Sequence, residues 1–214
     1  MNSSSTIALL PGNYSGAGNC EISGINVTIR GLGHAPNLLC NSYSQWALAG
    51  SVQIENLRFV RTSLTLTNAR ALLKNVMIEK GVQDRGGCIM ATGSSLWVDG
   101  VECRESQAHE GGGVYLETTT IAGRAFVVTG NSAGQGGGVF LARHCRWDVI
   151  GAAITDNTAK RNGGGLLAEH VEHLELGYSV LSGNSAGQDG GGIFASDTIL
   201  LATNSTIAHC STYR

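Results

Sequence analysis

Proline is almost missing from this chain, at 2 of 214 residues, and charged side chains supply only 14% of it. Scarce proline excludes a collagen-like strand, which needs proline-rich triplets and glycine at every third position. Glycine is abundant at 31 residues, and many of these stand in short blocks and not at every third position. The net charge is −2 and no Lys/Arg run is present, so the electrostatic footprint of a nucleic-acid binder is absent. No apolar run approaches the ~18 residues of a membrane-spanning helix, and no membrane insertion is expected. The segment Thr6-Ile7-Ala8-Leu9-Leu10 is too short for a secretory signal and lacks a basic flank. Both ends resemble cuts through a repeating structure, so the chain is expected to be a fragment. None of the six cysteines forms a Cys-x-x-Cys pair, and the six histidines show no recurring ligand spacing. Neither a metal nor a cofactor is therefore expected.

What the chain does contain is a repeat. Five glycine blocks, beginning at Gly86, Gly111, Gly136, Gly163 and Gly190, are each followed by an aliphatic residue, and successive starts lie 25, 25, 27 and 27 residues apart. An aliphatic-x-x-Asn-Ser/Thr-Ala segment precedes the last three, placing Asn131, Asn157 and Asn184 at one repeat position. The copy at Cys103-Arg104-Glu105-Ser106 is degenerate, and Cys88 stands where later blocks have glycine. A fixed period of this size means supersecondary units that bury their apolar faces by stacking on neighbours. Apolar residues make up 42% of the chain, enough for one domain with a real core. That domain reads as degenerate coils over 1–85 and regular glycine-block repeats over 86–214.

Short β-branched and aliphatic runs lie between these marks, such as Val27-Thr28-Ile29, Val76-Met77-Ile78 and Val139-Phe140-Leu141, each bounded by Gly, Asn, Ser or Asp. This is strand-and-turn patterning, and glycine at this density would make helices costly. About 25 residues hold three strands and three turns. The expected fold is all-β: a right-handed parallel β-helix of about eight coils. The glycines either turn the backbone with positive φ or allow close packing. Asn131, Asn157 and Asn184 are expected to stack at one corner as a hydrogen-bonded ladder. Cys20 and Cys40 lie about one repeat apart, where a disulfide could join adjacent coils. Ile7-Ala8-Leu9-Leu10 could fold over the first coil as a partial cap.

The paired glycine-block and aliphatic-x-x-Asn motifs resemble the repeats of the chlamydial polymorphic outer membrane proteins. Leu10-Pro11-Gly12-Asn13-Tyr14-Ser15, followed by Val27-Thr28-Ile29-Arg30-Gly31, resembles the beginning of such domains. The resemblance implies a pectin-lyase-like right-handed β-helix with an adhesive or structural role, placed outside the cell or at its surface. It brings no catalytic residues with it.

Many parallel β-helices act on polysaccharides, so fold alone does not exclude an enzyme. Glu117, Arg143, Glu169, His170 and Asp197 sit six or seven residues after their glycine blocks and should line up about 5 Å apart between coils. Two readings stand for this stripe: a row that binds or cleaves a glycan, and a solvated edge of mixed charge. A second polar stripe, Asp84, His109, Arg161, Gln188 and Asp189, falls just before the blocks and reads as an exposed ridge. Asn13, Asn26 and Asn204 begin glycosylation sequons, which matter only in a secreted chain. The leading functional expectation is a non-enzymatic rod for adhesion or assembly; the rival is a carbohydrate-active enzyme or glycan-binding module. A partner protein or second copy is expected at the C-terminal coil end, where open strand edges invite pairing.

Overall fold

The computed structural model describes residues 5–15 and 22–213. Cys20 lies outside them, and the Cys20–Cys40 pairing with it. The described chain is all-β and winds into a parallel solenoid of about eight turns. Right-handed winding is the sense that strand twist favours for consecutive parallel strands. The coil around residue 120 shows the plan. Val114–Glu117 forms a first face. Thr120–Thr129 bends at Ala125, which has φ 51°, and so supplies a second face (120–124) and a third (126–129). Ser132–Gln135 then projects as a short arm before the glycine block returns the chain to the first face. Every strand pairs in parallel with its counterpart one coil away, as in Val114↔Val139, Ile121↔Trp147, Val128↔Ile154 and Ser132↔Thr158.

Alternation along each strand sends one side chain inward and the next outward. The inward set stacks into continuous columns: Ile89, Val114, Val139 and Leu166 on the first face, Leu96, Ile121, Trp147 and Leu174 on the second, and Val128, Ile154 and Leu181 on the third. All are buried. Phe126 stacks on Trp147 with centroids 5.9 Å apart inside this core.

The arm is not present throughout. Its six strands run from Val82–Arg85 to Ser211–Thr212. Upstream, Asn75 Nδ2 donates to Asn56 Oδ1 only 19 residues earlier, whereas Asn56 Nδ2 donates to the Gly31 carbonyl 25 residues earlier. The coil between Asn56 and Asn75 is short because it passes from its third face to the next first face without an arm. Ser5–Leu9 does not fold over the first coil as expected. It pairs in register with Val27 to Gly31 and is itself a coil strand.

Within a glycine block the three positions have different jobs. Gly163 has φ +67° and turns the corner, while Gly164 has no such φ. A Cβ on Gly164 would lie 2.3 Å from the carbonyl oxygens of both Gly191 and Ser185, so the second glycine is required by close approach of neighbouring backbone. At the third position, a Cβ on Gly113 would lie 2.8 Å from Val128 Cγ1 and 3.0 Å from Asn131 Nδ2. Cys88 occupies that position one coil earlier, where its neighbours are the smaller Cys103 and Ser106, and all three are fully buried. Ser106 takes over the asparagine's role by accepting from Gly81 N–H at 3.0 Å.

Candidate functional site

Asn131, Asn157 and Asn184 are buried, with Nδ2 of each earlier residue 3.0 Å from Oδ1 of the next. The same oxygens accept backbone N–H bonds from Asn131 and Asn157 at 3.0 Å, and the second amide hydrogens reach the carbonyls of Cys103, Val128 and Ile154. Their donors and acceptors are thus occupied within the corner, away from any ligand-accessible surface.

The chemistry that faces solvent collects in the crease between the arm and the first face. Its floor is a row of outward side chains in parallel register: Met90, Tyr115, Phe140, Leu167 and Phe194. Tyr115, Phe140 and Leu167 are buried there although they point away from the solenoid core, forming a second apolar cluster. The Tyr115 and Phe140 rings meet edge to face at 5.4 Å. Such rings tuck beneath the glycine corner: a Cβ on Gly136 would lie 2.8 Å from Phe140 Cβ.

The arm supplies one wall, in which Arg85, Glu110 and Gln135 are in register. Arg85 Nε lies 2.9 Å from Glu110 Oε2, and its guanidinium stands 5.0 Å over the Tyr115 ring. The opposite wall carries Glu117, Arg143, Glu169 and His170, and the walls and floor together enclose a pocket of about 340 Å³. Burial, reinforced by the negative charge of Glu117, pushes the Tyr115 phenol up to about 12 despite the opposing Arg85 cation.

The expected single stripe divides into two columns. Thr92 pairs with Glu117 and Glu169 with Ser196, so both glutamates belong to one level of the first face. His144, His170 and Asp197 occupy the next corner, all with positive φ, where Thr118 stands one coil earlier. His170 Nδ1 lies 3.3 Å from Asp197 Oδ2. Arg143 belongs to neither column. Leu116 pairs with Leu141 and Thr120 with Arg146, so three residues (117–119) face four (142–145), and the extra residue displaces Arg143 outward between the two glutamates. Asp197 is 70% exposed at its side chain and lies beyond the crease.

The sequence reading overlooked Arg85, Glu110, Tyr115 and Phe140. A signal for two of them exists in the residue that follows each block's aliphatic position. That residue is Met90, Tyr115, Phe140, Leu167 or Phe194, a recurring large apolar side chain. The second stripe, at Asp84, His109, Arg161, Gln188 and Asp189, belongs to the arm and its turn; Arg161 N–H donates to the Gly134 carbonyl and Gln188 N–H to that of Arg161, at 2.9 and 3.0 Å. No helix among the described residues is long and apolar enough to cross a membrane, and no cluster of three metal-ligating side chains occurs among them.

Fold and repeat together define a parallel β-helical repeat protein. Residues 178–196, one third-face strand, arm and glycine block, match the model of the Chlamydia polymorphic membrane protein repeat. The chain is therefore a β-helix carrying a repeat of that type. A search among curated proteins found no match.

Proposed function

We propose that the chain is a non-enzymatic adhesive module: a rigid β-helical rod that holds a glycan in the crease between arm and first face. The observation that carries this reading is the convergence of Glu117, Glu169, Arg143 and His170 on one pocket, the two glutamates having no ion pair among the described residues. Charged acceptors and donors gathered at one pocket suit a polyhydroxylated ligand, which needs several hydrogen-bond partners at once. The matched repeat takes its description from membrane proteins, which favours a surface location. Binding is favoured over hydrolysis because Glu110 is already held by Arg85 and Arg143 lines the same pocket as Glu117 and Glu169.

Glycan-array binding of the chain and of a Glu117→Gln/Glu169→Gln double variant tests the proposal. A defined set of bound glycans that is lost in the variant is the expected result. An unchanged profile would remove the crease from the argument, and new reducing ends from any bound glycan would replace the adhesive reading with a hydrolytic one.

The end coil supports a second element of this function, assembly. Ile207 continues the inward column of Val128, Ile154 and Leu181 yet is 50% exposed, and Leu200 continues the column of Leu174 at 39%. Both continue buried core columns yet are exposed at this end. The partner that fits is another parallel coil, from more of the same repeat or from a second copy.

A further inference from the structure

On the second face, away from the crease, Leu72, Trp97 and Ala122 occupy one outward column. Trp97 is 53% exposed, whereas Trp46 and Trp147 are buried in the core. Small side chains around it, Ala122, Ser95 and Thr120, leave the indole standing at the side of a shallow trough of about 440 Å³. The trough crosses four successive strands, from Ser51 and Gln53 to Thr120 and Ala122, or about 14 Å.

Charge along its two sides is unequal. One side is a column of alternating sign, in which Arg30 Nε pairs with Glu55 Oε2 at 2.7 Å and Arg124 Nε with Asp99 Oδ1 at 2.9 Å, with Lys74 between them. A hydrogen bond from Gln53, followed by Arg30 and Lys74, holds Glu55 below the usual carboxylate range, and Arg124 and Lys74 do the same for Asp99. The other side is the column Arg70, Ser95, Thr120. Arg70 is exposed, its register neighbour Ser95 is uncharged, and among the described residues it has no ion pair or aromatic contact. It lies diagonally from Trp97, within reach of a long side chain. Gln53 gives its amide N–H to Glu55 at 2.6 Å, which leaves its carbonyl oxygen as an acceptor towards the trough.

We infer that this trough is a second ligand site, specific for a uronic acid unit of an acidic glycan. The carbon–hydrogen face of the sugar ring lies against the Trp97 indole above Ala122. Its carboxylate pairs with Arg70, and its hydroxyls meet Ser95, Thr120 and the Gln53 carbonyl. Charge selects the ligand: a neutral sugar leaves the Arg70 guanidinium unused, whereas a carboxylate gains a charge-assisted pair.

Tryptophan fluorescence reads this site directly, since the crease contains no tryptophan and the other two indoles are buried. The probe is a cellouronate hexamer, with cellohexaose as a control of the same backbone lacking the carboxylates. Cellouronate should saturably change the emission and protect Trp97 from iodide quenching, and cellohexaose should bind at least about tenfold more weakly. Arg70→Gln should abolish that preference and Trp97→Ala should abolish binding measured by calorimetry, while both keep the strand circular dichroism of the parent. The Glu117→Gln/Glu169→Gln variant should bind cellouronate as the parent does, which separates this site from the crease. Equal affinity for the two hexamers, unchanged selectivity in Arg70→Gln, or a spectrum that does not respond to cellouronate would overturn the assignment.

Discussion

Single residues of the repeat fail in different ways when replaced. Asn157 makes two side-chain donations and accepts from Asn131, so Asn157→Ala strands several buried groups at once. A loss of about 1–3 kcal/mol or more is expected. Its neighbour Asp156 is exposed at φ 55°, in a column where Gly130 and Gly183 also stand, so Asp156→Gly keeps the backbone geometry and should cost far less. Urea midpoints of the two variants decide this, and equal midpoints would contradict a structural ladder. Gly164→Val should be worse than reversing any one charge among Glu117, Arg143, Glu169 and Asp197, because backbone oxygens on two neighbouring segments cannot retreat from a new Cβ. Overpacking of this kind costs about 1–3 kcal/mol. Thermal melts that leave Gly164→Val equal to Glu169→Lys would show that the block is loose.

Among the elements, the arm and the first face are coupled through Tyr115. Its phenol stays protonated up to about 12 in the folded chain, while an ordinary tyrosine ionises near 10. Over that interval the unfolded chain gives up the proton first, so the stability that the neutral phenol contributes is complete below pH 10 and declines as pH rises through about 12. Tyr115→Phe should therefore lose less stability than the parent between about pH 9 and pH 11, as read by urea midpoints at the two values. An identical loss in both proteins would mean that the ring is not buried in the crease. The faces and their order were legible in the sequence because period-2 alternation and glycine spacing reflect burial directly. The crease was only half legible. Glu117 and Glu169 share a level because both follow the block by a constant offset. Arg143 departs from it because one extra residue in 142–145 shifts the count, and spacing alone does not show where a bulge falls. Arg85 and Glu110 escaped notice because the arm folds back over the floor, a tertiary contact without local periodicity.

For the whole molecule, the described end coil predicts association. The strands at Ile193–Ser196, Leu200–Thr203 and Thr206–Ala208 each pair on one side only. Ile199 and Tyr213 add exposure of 70% and 68% at the same end. Sedimentation should show concentration-dependent self-association, and a polar capping helix added after Arg214 should suppress it. A monomer at every concentration without the cap would remove the argument. The solenoid itself was legible from the 25–27 residue spacing. The short coil between Asn56 and Asn75 was not, because glycine blocks are lacking there and the omitted arm leaves no trace in the hydrophobic pattern.

The asparagine ladder also gives the rod a direction. Each amide gives one hydrogen back to a carbonyl of the earlier coil, but the bonds between asparagine side chains all run from the earlier residue to the later one, and Asn184 ends the series against the weak acceptor Cys210 Sγ at 3.9 Å. A joint that places the last coil of one rod on the first coil of another keeps strands parallel and the sense of these bonds unchanged. A joint between two last coils reverses both. The first arrangement never closes on itself and grows into a fibre, while the second stops at a pair. Only the first preserves the sense of the row of buried amides.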